Sequence, residues 1–276
     1  MSWPARGMQA FDLAGYAFAV RWDSAAGAHV VERLFPGCRI GPALAPTEVY
    51  AVSATGAGLQ VCRGGHPVAA GDTEAELAAA LDAELANAAL EHLVHAVAIH
   101  AGAVAREGRA LLLPGAGGSG KTTLTAALSL AGLQTLCDDI VLLDPAGGRA
   151  RALPRNFLIK GASARWVAAR LAGAEAYALG GELYSIPREA LGQPADEAAV
   201  AWIVFPTFAP GLPARLAPVG PLEAMRRLLP LTCLPHQDLF GVVGMVREAR
   251  VFDLPYHSHE EAVALLLALV RGEPPG

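Results

Sequence analysis

From residue 1 to about 70 the chain alternates short apolar runs with turn residues: Tyr16 to Val20, Glu48 to Ser53 and Leu59 to Cys62, broken by Gly56, Gly64 and Gly65. This pattern predicts a small, mostly β amino-terminal region. The period then changes. Asp72 and Thr73 are helix-capping residues, and Leu77, Leu81, Leu85, Leu90 and Val94 recur at an approximately helical spacing, so a helix beginning near Glu74 is expected to lead into the rest of the chain. Two strand-like runs follow, Ala98 to Ala105 and Arg109 to Pro114, joined by Glu107 and Gly108 in a connection of hairpin length. If Arg106 faces Arg109, the register places His100 opposite Gly115. These elements predict an α/β chain organised as a β-rich region over residues 1–72 and a larger domain over residues 73–276.

At Gly115 the chain enters Gly-Ala-Gly-Gly-Ser-Gly-Lys-Thr, a full match to the P-loop (Walker A) pattern G-x-x-x-x-G-K-[ST]. An apolar strand, Ala110 to Leu113, precedes it, and TTLTAALSLA follows as a helix stopped by Gly132. Each part has a chemical purpose. Glycines let backbone N–H groups wrap phosphates at a helix N-terminus, the lysine reaches the β- and γ-phosphates, and the threonine hydroxyl binds Mg²⁺. The candidate ATP-binding residues are therefore Gly115, Gly117, Gly118, Ser119, Gly120, Lys121, Thr122 and Thr123. Beyond Gly132, the run Leu133 to Cys137 reads as a short buried strand ending in Asp138 and Asp139. A carboxylate there is placed for a nucleotide-bound Mg²⁺, with Thr122 and Asp139 as candidate ligands, while a second carboxylate can take the proton of an attacking hydroxyl. Asp144 ends the next apolar run in the same fashion, but Pro145-Ala-Gly-Gly148 marks it as the start of a turn.

Composition narrows the classes of function. Lys+Arg 21 against Asp+Glu 26 gives a formal charge of −5, which disfavours a general nucleic-acid binder. Only Lys121 and Lys160 are lysines, so each is a position where an ammonium is retained in an arginine-biased chain. Hydrophobic residues make up 53% of the chain, yet the longest apolar runs, such as Ala262 to Val270, fall short of the roughly 20 residues that cross a bilayer. No membrane span and no signal peptide are expected, because Asp12 interrupts the apolar amino terminus. Cys38, Cys62, Cys137 and Cys233 form no C-x-x-C pair, which argues against a disulfide framework or zinc site and fits a reducing cytoplasm.

The strand AIHAGAV with His100, the segment LLLPGAGGSGKTT with its helix, and CDDIVLL resemble the carboxy-terminal catalytic domain of HPr kinase/phosphorylase. They are more similar to the smaller HPr-kinase-related kinases that accompany some bacterial peptide-modification and cell-surface gene cassettes. The resemblance is strong over about residues 90–165, fainter through AWIVFP and YHSHEEAVALLLAL, and weak before residue 70. It implies a P-loop core related to phosphoenolpyruvate carboxykinase, with antiparallel strands flanking the loop strand. It also implies active-site roles for His100, Asp138 and Asp139, one aspartate handling the proton of an acceptor serine and the other helping to hold metal. The family's downstream E-x-R-G element has its best match at Leu158-Ile-Lys160-Gly161, where leucine replaces the glutamate and lysine keeps the cation. The chain lacks room for the family's full regulatory amino-terminal domain, which makes HPr itself a doubtful acceptor.

Lys160 and Arg155 are candidate contacts to a phosphate or an acceptor, with Arg151 a weaker one. His257 with His259, and His92 with His95, have metal-ligand spacings, but capping of the last helix and ordinary helix packing account for them. Arg226 and Arg227 read as a solvated helix face, with a substrate-clamping role as the alternative. The leading expectation is an ATP- and Mg²⁺-dependent kinase of a Ser/Thr hydroxyl in a small protein or peptide, such as one encoded nearby, with Lys121 stabilising the moving phosphoryl group. Two alternatives stand beside it: a non-catalytic nucleotide-binding switch or partner module, and a kinase of a small metabolite or glycan hydroxyl. The chain carries neither the N-K-x-D nor the L-S-G-G-Q run of common switch and transport nucleotidases, and it leaves a homo-oligomer open.

Overall fold

The computed structural model describes residues 6–35, 45–56, 58–93, 97–144, 148–171, 176–180, 182–233 and 240–273. The expectations at Cys38, Val94, His95 and residues 145–147 lie outside the described residues. In chain order the first elements are β1 (Gly7–Leu13), β2 (Tyr16–Trp22), α1 (Ala25–Leu34), β3 (Glu48–Ala54), β4 (Leu59–Arg63), β5 (His66–Gly71) and α2 (Glu74–His92). Next come β6 (Val97–Arg106), β7 (Arg109–Pro114), α3 (Lys121–Leu130), β8 (Gln134–Cys137), β9 (Ile140–Leu143) and β10 (Arg149–Ala152). The chain continues with β11 (Phe157–Lys160), α4 (Gly161–Ala168), β12 (Tyr177–Gly180), β13 (Leu183–Ile186) and α5 (Arg188–Leu191). It ends with β14 (Glu197–Phe208), β15 (Ala217–Pro218), α6 (Pro221–Leu228), a 3-10 turn (Leu229–Leu231), α7 (Phe240–Glu248), β16 (Arg250–Tyr256) and α8 (His259–Arg271). The architecture is mixed α/β with mixed sheets and a β-rich amino-terminal region. No helix among the described residues is long and apolar enough to cross a membrane.

The chain divides into two compact units, Met1–Val94 with Pro154–Pro187, and His95–Leu153 with Arg188–Gly276. The division differs from the expected 1–72 and 73–276 for a reason that local patterning does not carry. Helix α2 lays Leu77, Leu81 and Leu85, all fully buried, against the first sheet instead of leading away from it. Residues returning at Pro154 then build a further sheet within the same unit, in the order β11-β13-β12.

In the first unit, β1 to β5 form one sheet in sequence order, antiparallel except for the parallel β2–β3 pair that α1 connects. Its core is aromatic, with Phe11 and Phe18 stacked at 5.5 Å and Phe35 against both. Helix α2 starts with a full capping box, in which the Thr73 hydroxyl accepts from the Glu76 N–H while the Glu76 carboxylate accepts from the Thr73 N–H. At its centre Asp82 accepts a 2.5 Å bond from Arg155 Nη1, with only 11% and 8% of the two side chains exposed. The short sheet is tied to the end of α1 through Asn156 and Ser185, which both donate to the Arg33 carbonyl.

The second unit has an eight-stranded sheet in the order β10-β9-β6-β7-β14-β16-β15, with β8 also on β6. Strands β7, β14 and β16 run parallel, and β6 is antiparallel to β7. The β6–β7 hairpin turns on Glu107 and Gly108 at φ +52° and +73°, the paired positive φ values of a tight two-residue loop. Arg106 pairs with Arg109 as the sequence predicts. Helices α3 and α8 cover one face through Leu124, Leu128, Leu266 and Leu269, and α6 and α7 cover the other through Leu228, Val242 and Met245. Parallel strands buried on both faces leave their carboxyl ends as the natural opening for a ligand.

Candidate functional site

The glycine-rich segment occupies that opening. It leaves β7 at Pro114 and enters α3 at Lys121, so strand, loop and helix follow in the order the pattern requires. The Gly115 N–H donates to the His100 carbonyl at 3.3 Å, which places the histidine beside the start of the loop, as its register predicts. Gly118 and Gly120 have φ of +83° and +89°, a region other residues enter at a cost. Gly120 is the N-cap of α3 and supplies no side-chain bond, so the first N–H groups of the helix keep their electropositive end for an anion.

Two polar atoms at the loop are buried and lack a hydrogen-bond partner among the described residues: Ser119 Oγ and the Tyr256 hydroxyl. Burial pushes the Tyr256 phenol up to about 12. A Cβ placed on Gly120 would sit 2.2 Å from that hydroxyl, and one on Gly115 would sit 2.5 Å from Ser119 Oγ. At Gly120 the clash adds to a positive φ, at Gly115 the Ser119 side chain would have to turn aside, and the space around Gly118 is open. Gly120→Ala is expected to combine backbone strain with a clash, costing about 1–3 kcal/mol. Gly118→Ala should cost only the left-handed penalty of about 1–2 kcal/mol. Thermal unfolding of the two variants checks the order.

Asp138 and Asp139 do not simply end a strand. They form a bend between β8 and β9, two short strands that pair with successive parts of β6. The Asp139 carbonyl accepts from the Ala101 N–H at 2.9 Å, which anchors the bend one residue beyond His100. Asp139 Oδ1 lies 3.2 Å from Lys121 Nζ and 3.6 Å from His100 Nδ1. Its side chain is 36% exposed against 10% for the lysine, and Asp138 is buried. Lysine, histidine and aspartate thus meet at the mouth of an uncapped helix.

No family model matches the chain, and no curated protein matches it in sequence. Among solved structures it is similar to the Hpr(Ser) kinase/phosphatase from Coxiella burnetii, at 16% identity over 63% of this chain and 94% of that one, with a TM-score of 0.35. A likeness at that score carries no argument. The chemistry rests on the residues themselves.

Asp139, and after it the Cys233 side chain, push the His100 pKa up to about 10, against the opposing effect of desolvation. Cys233 arrives from far along the chain: its N–H donates to the Ala98 carbonyl at 2.9 Å, next to a bridge between Ile99 and Thr232. Because the folded pKa is raised, the stabilisation from this contact is complete below about 6.5 and is lost as the pH rises through about 10. In protein free of metal and nucleotide, the His100 ring is expected to titrate near 10 by NMR and to move toward 6.5 in Asp139→Asn. A midpoint near 6.5 in the parent would contradict the contact.

Asp144 Oδ1 accepts from the Arg149 N–H at 3.3 Å. Arg151 is an exposed residue of β10 in register with Glu197. Lys160 and Arg155 belong to the first unit: Lys160 is exposed at the end of β11, and Arg155 is held by Asp82. Gly161, at φ +63°, gives that stretch its glycine for a backbone reason. His257 contacts the Leu212 carbonyl at 2.5 Å, His259 stacks on Phe208 and His92 contacts the Ala88 carbonyl. Among the described residues no group of three or more His, Cys, Asp or Glu is arranged to hold a metal on its own. A metal that takes its remaining ligands from phosphate oxygens and water needs only one or two protein oxygens.

Proposed function

We propose that the chain is an ATP- and Mg²⁺-dependent phosphotransferase acting on a serine or threonine hydroxyl of a small protein or peptide, built on a P-loop core of the HPr kinase and phosphoenolpyruvate carboxykinase-like type. The observation that carries the proposal is the convergence of Lys121, Asp139 and His100 at the uncapped N-terminus of α3. The donor set fits a triphosphate. The loop amides and Lys121 bind the β- and γ-phosphates, Gly115 and Gly120 let the backbone stay close to them, and Ser119 Oγ gains an acceptor. Thr122 and Asp139 would hold Mg²⁺, which would supply neutralisation of the phosphate charge. Lys121 and the amides stabilise charge on the phosphoryl group as it moves, the main catalytic contribution in such transfers.

In the transfer, the bond between the γ-phosphorus and the β–γ bridging oxygen breaks and a bond from phosphorus to the acceptor oxygen forms. ADP leaves, and Asp138 takes the hydroxyl proton. His100 orients the phosphate or the acceptor. A cytoplasmic setting, where ATP and Mg²⁺ are supplied, accompanies this reading. The test is incubation of the pure protein with Mg²⁺, γ-labelled ATP and candidate peptides encoded beside its gene, read by intact mass. Gain of one phosphate on a peptide hydroxyl, absent with Lys121→Ala, is the expected result. Nucleotide binding with no label moved to any acceptor would favour a switch.

A further inference from the structure

A cleft of about 400 Å³ opens beside the loop. Gly115 and Ser119 form one wall, the end of β14 from Phe205 to Thr207 forms another, and Arg226 and Arg227 of α6 line the third. The sequence presents both arginines as a solvated face, but the fold treats them differently. Arg226 is exposed and holds Glu223 with two bonds of 2.8 Å, a closed pair along its own helix. Arg227 is half-buried and fixed from two sides. Its Nη1 donates to Asp253 at 2.5 Å, and its guanidinium carbon lies 4.0 Å from the Phe205 ring centroid.

A guanidinium has five N–H donors in one plane. The Asp253 bond uses one, and no hydrogen-bond partner for the others is found among the described residues. The two acidic groups nearby, Glu223 and Asp253, are each already neutralised by an arginine. A guanidinium laid on an aromatic ring and anchored by one carboxylate is preorganised to receive another planar anion, because little side-chain freedom remains to be lost. The volume suits an acceptor side chain and a neighbour more than a large ligand.

We propose that this cleft is the acceptor subsite and that Arg227 makes it selective for a hydroxyl flanked by carboxylates, as in an acidic peptide. This rests on the phosphotransfer reading, since the cleft borders the loop that would hold the γ-phosphate. Arg227 binds the flanking carboxylate through its uncommitted N–H groups and keeps Asp253 as its anchor. The hydroxyl is then presented toward the loop for the transfer set out above.

The test uses the full chain and two labelled pentapeptides, Glu-Asp-Ser-Asp-Glu and Lys-Lys-Ser-Lys-Lys, with binding read by fluorescence anisotropy with and without a non-hydrolysable ATP analogue and Mg²⁺. The acidic peptide is expected to bind about tenfold or more tightly than the basic one, and Arg227→Met to remove about tenfold of its affinity. Affinity for the nucleotide analogue should stay unchanged in that variant. Arg227→Lys, which keeps the charge without the fork, should recover only part of the loss, and Arg271→Met, at the end of α8, should lose nothing. Equal binding of the two peptides by the parent would overturn the proposal, and so would an acidic preference that survives both Arg227 variants. Selective peptide binding without nucleotide binding would instead count against the phosphotransfer reading, so the two failures are distinct.

Discussion

Asp139→Asn is expected to lower phosphoryl transfer by on the order of 10³-fold while ATP binding in the absence of Mg²⁺ is retained or strengthened. The second half follows from geometry. Before any nucleotide arrives, the Asp139 carboxylate lies 3.2 Å from Lys121 Nζ, so an incoming phosphate competes with it for the same ammonium. Removing the charge removes the competitor. With Mg²⁺ present the order reverses, because the substitution also takes away the proposed metal ligand, so the gain in affinity that Mg²⁺ confers should shrink. Asp138→Asn separates the roles: transfer should fall while the Mg²⁺-dependent part of ATP affinity persists. Measuring ATP affinity with and without Mg²⁺ beside the transfer rate, in both variants, checks the assignment. Identical losses of binding in both variants would contradict it.

Asp82→Ala should be the most damaging substitution in the first unit. It removes the carboxylate that holds Arg155, whose side chain is 8% exposed, a loss of up to about 3–5 kcal/mol. Set against a typical domain stability of about 5–15 kcal/mol, this is enough to unfold much of the first unit. A paired apolar replacement, Asp82→Leu with Arg155→Met, removes both charges and should recover most of the stability. Urea denaturation of the single and double variants decides between these outcomes. A double variant as unstable as the single one would show that the charges themselves are needed.

What the sequence makes legible is what local spacing encodes. The two-residue turn at Glu107 and Gly108 sets the hairpin register and thereby brings His100 to Gly115. Thr73 and Glu76 lie three apart and form a capping box. The remainder depends on partners distant along the chain. Arg155 looks like a free cation until the fold brings it to Asp82, 73 residues away. Strands β11 and β13 pair with each other across α4, with β12 on the far side of β13, and nothing in either four-residue run announces that they return to the amino-terminal unit. Arg226 and Arg227 are adjacent in sequence, and only the position of Phe205 and Asp253 separates their environments. Cys233 reaches His100 by the same kind of long-range pairing, and no spacing rule points to it.

Calorimetric titration of Mg-ATP into the full chain tests the central claim most directly, in parallel with Lys121→Ala and Gly120→Ala. The expected result is saturable binding near one nucleotide per chain that is lost in Lys121→Ala and weakened in Gly120→Ala, with both variants still folded by circular dichroism. Absence of binding to the folded parent, or equal affinity in all three proteins, would contradict the assignment of residues 115–123 as a nucleotide site.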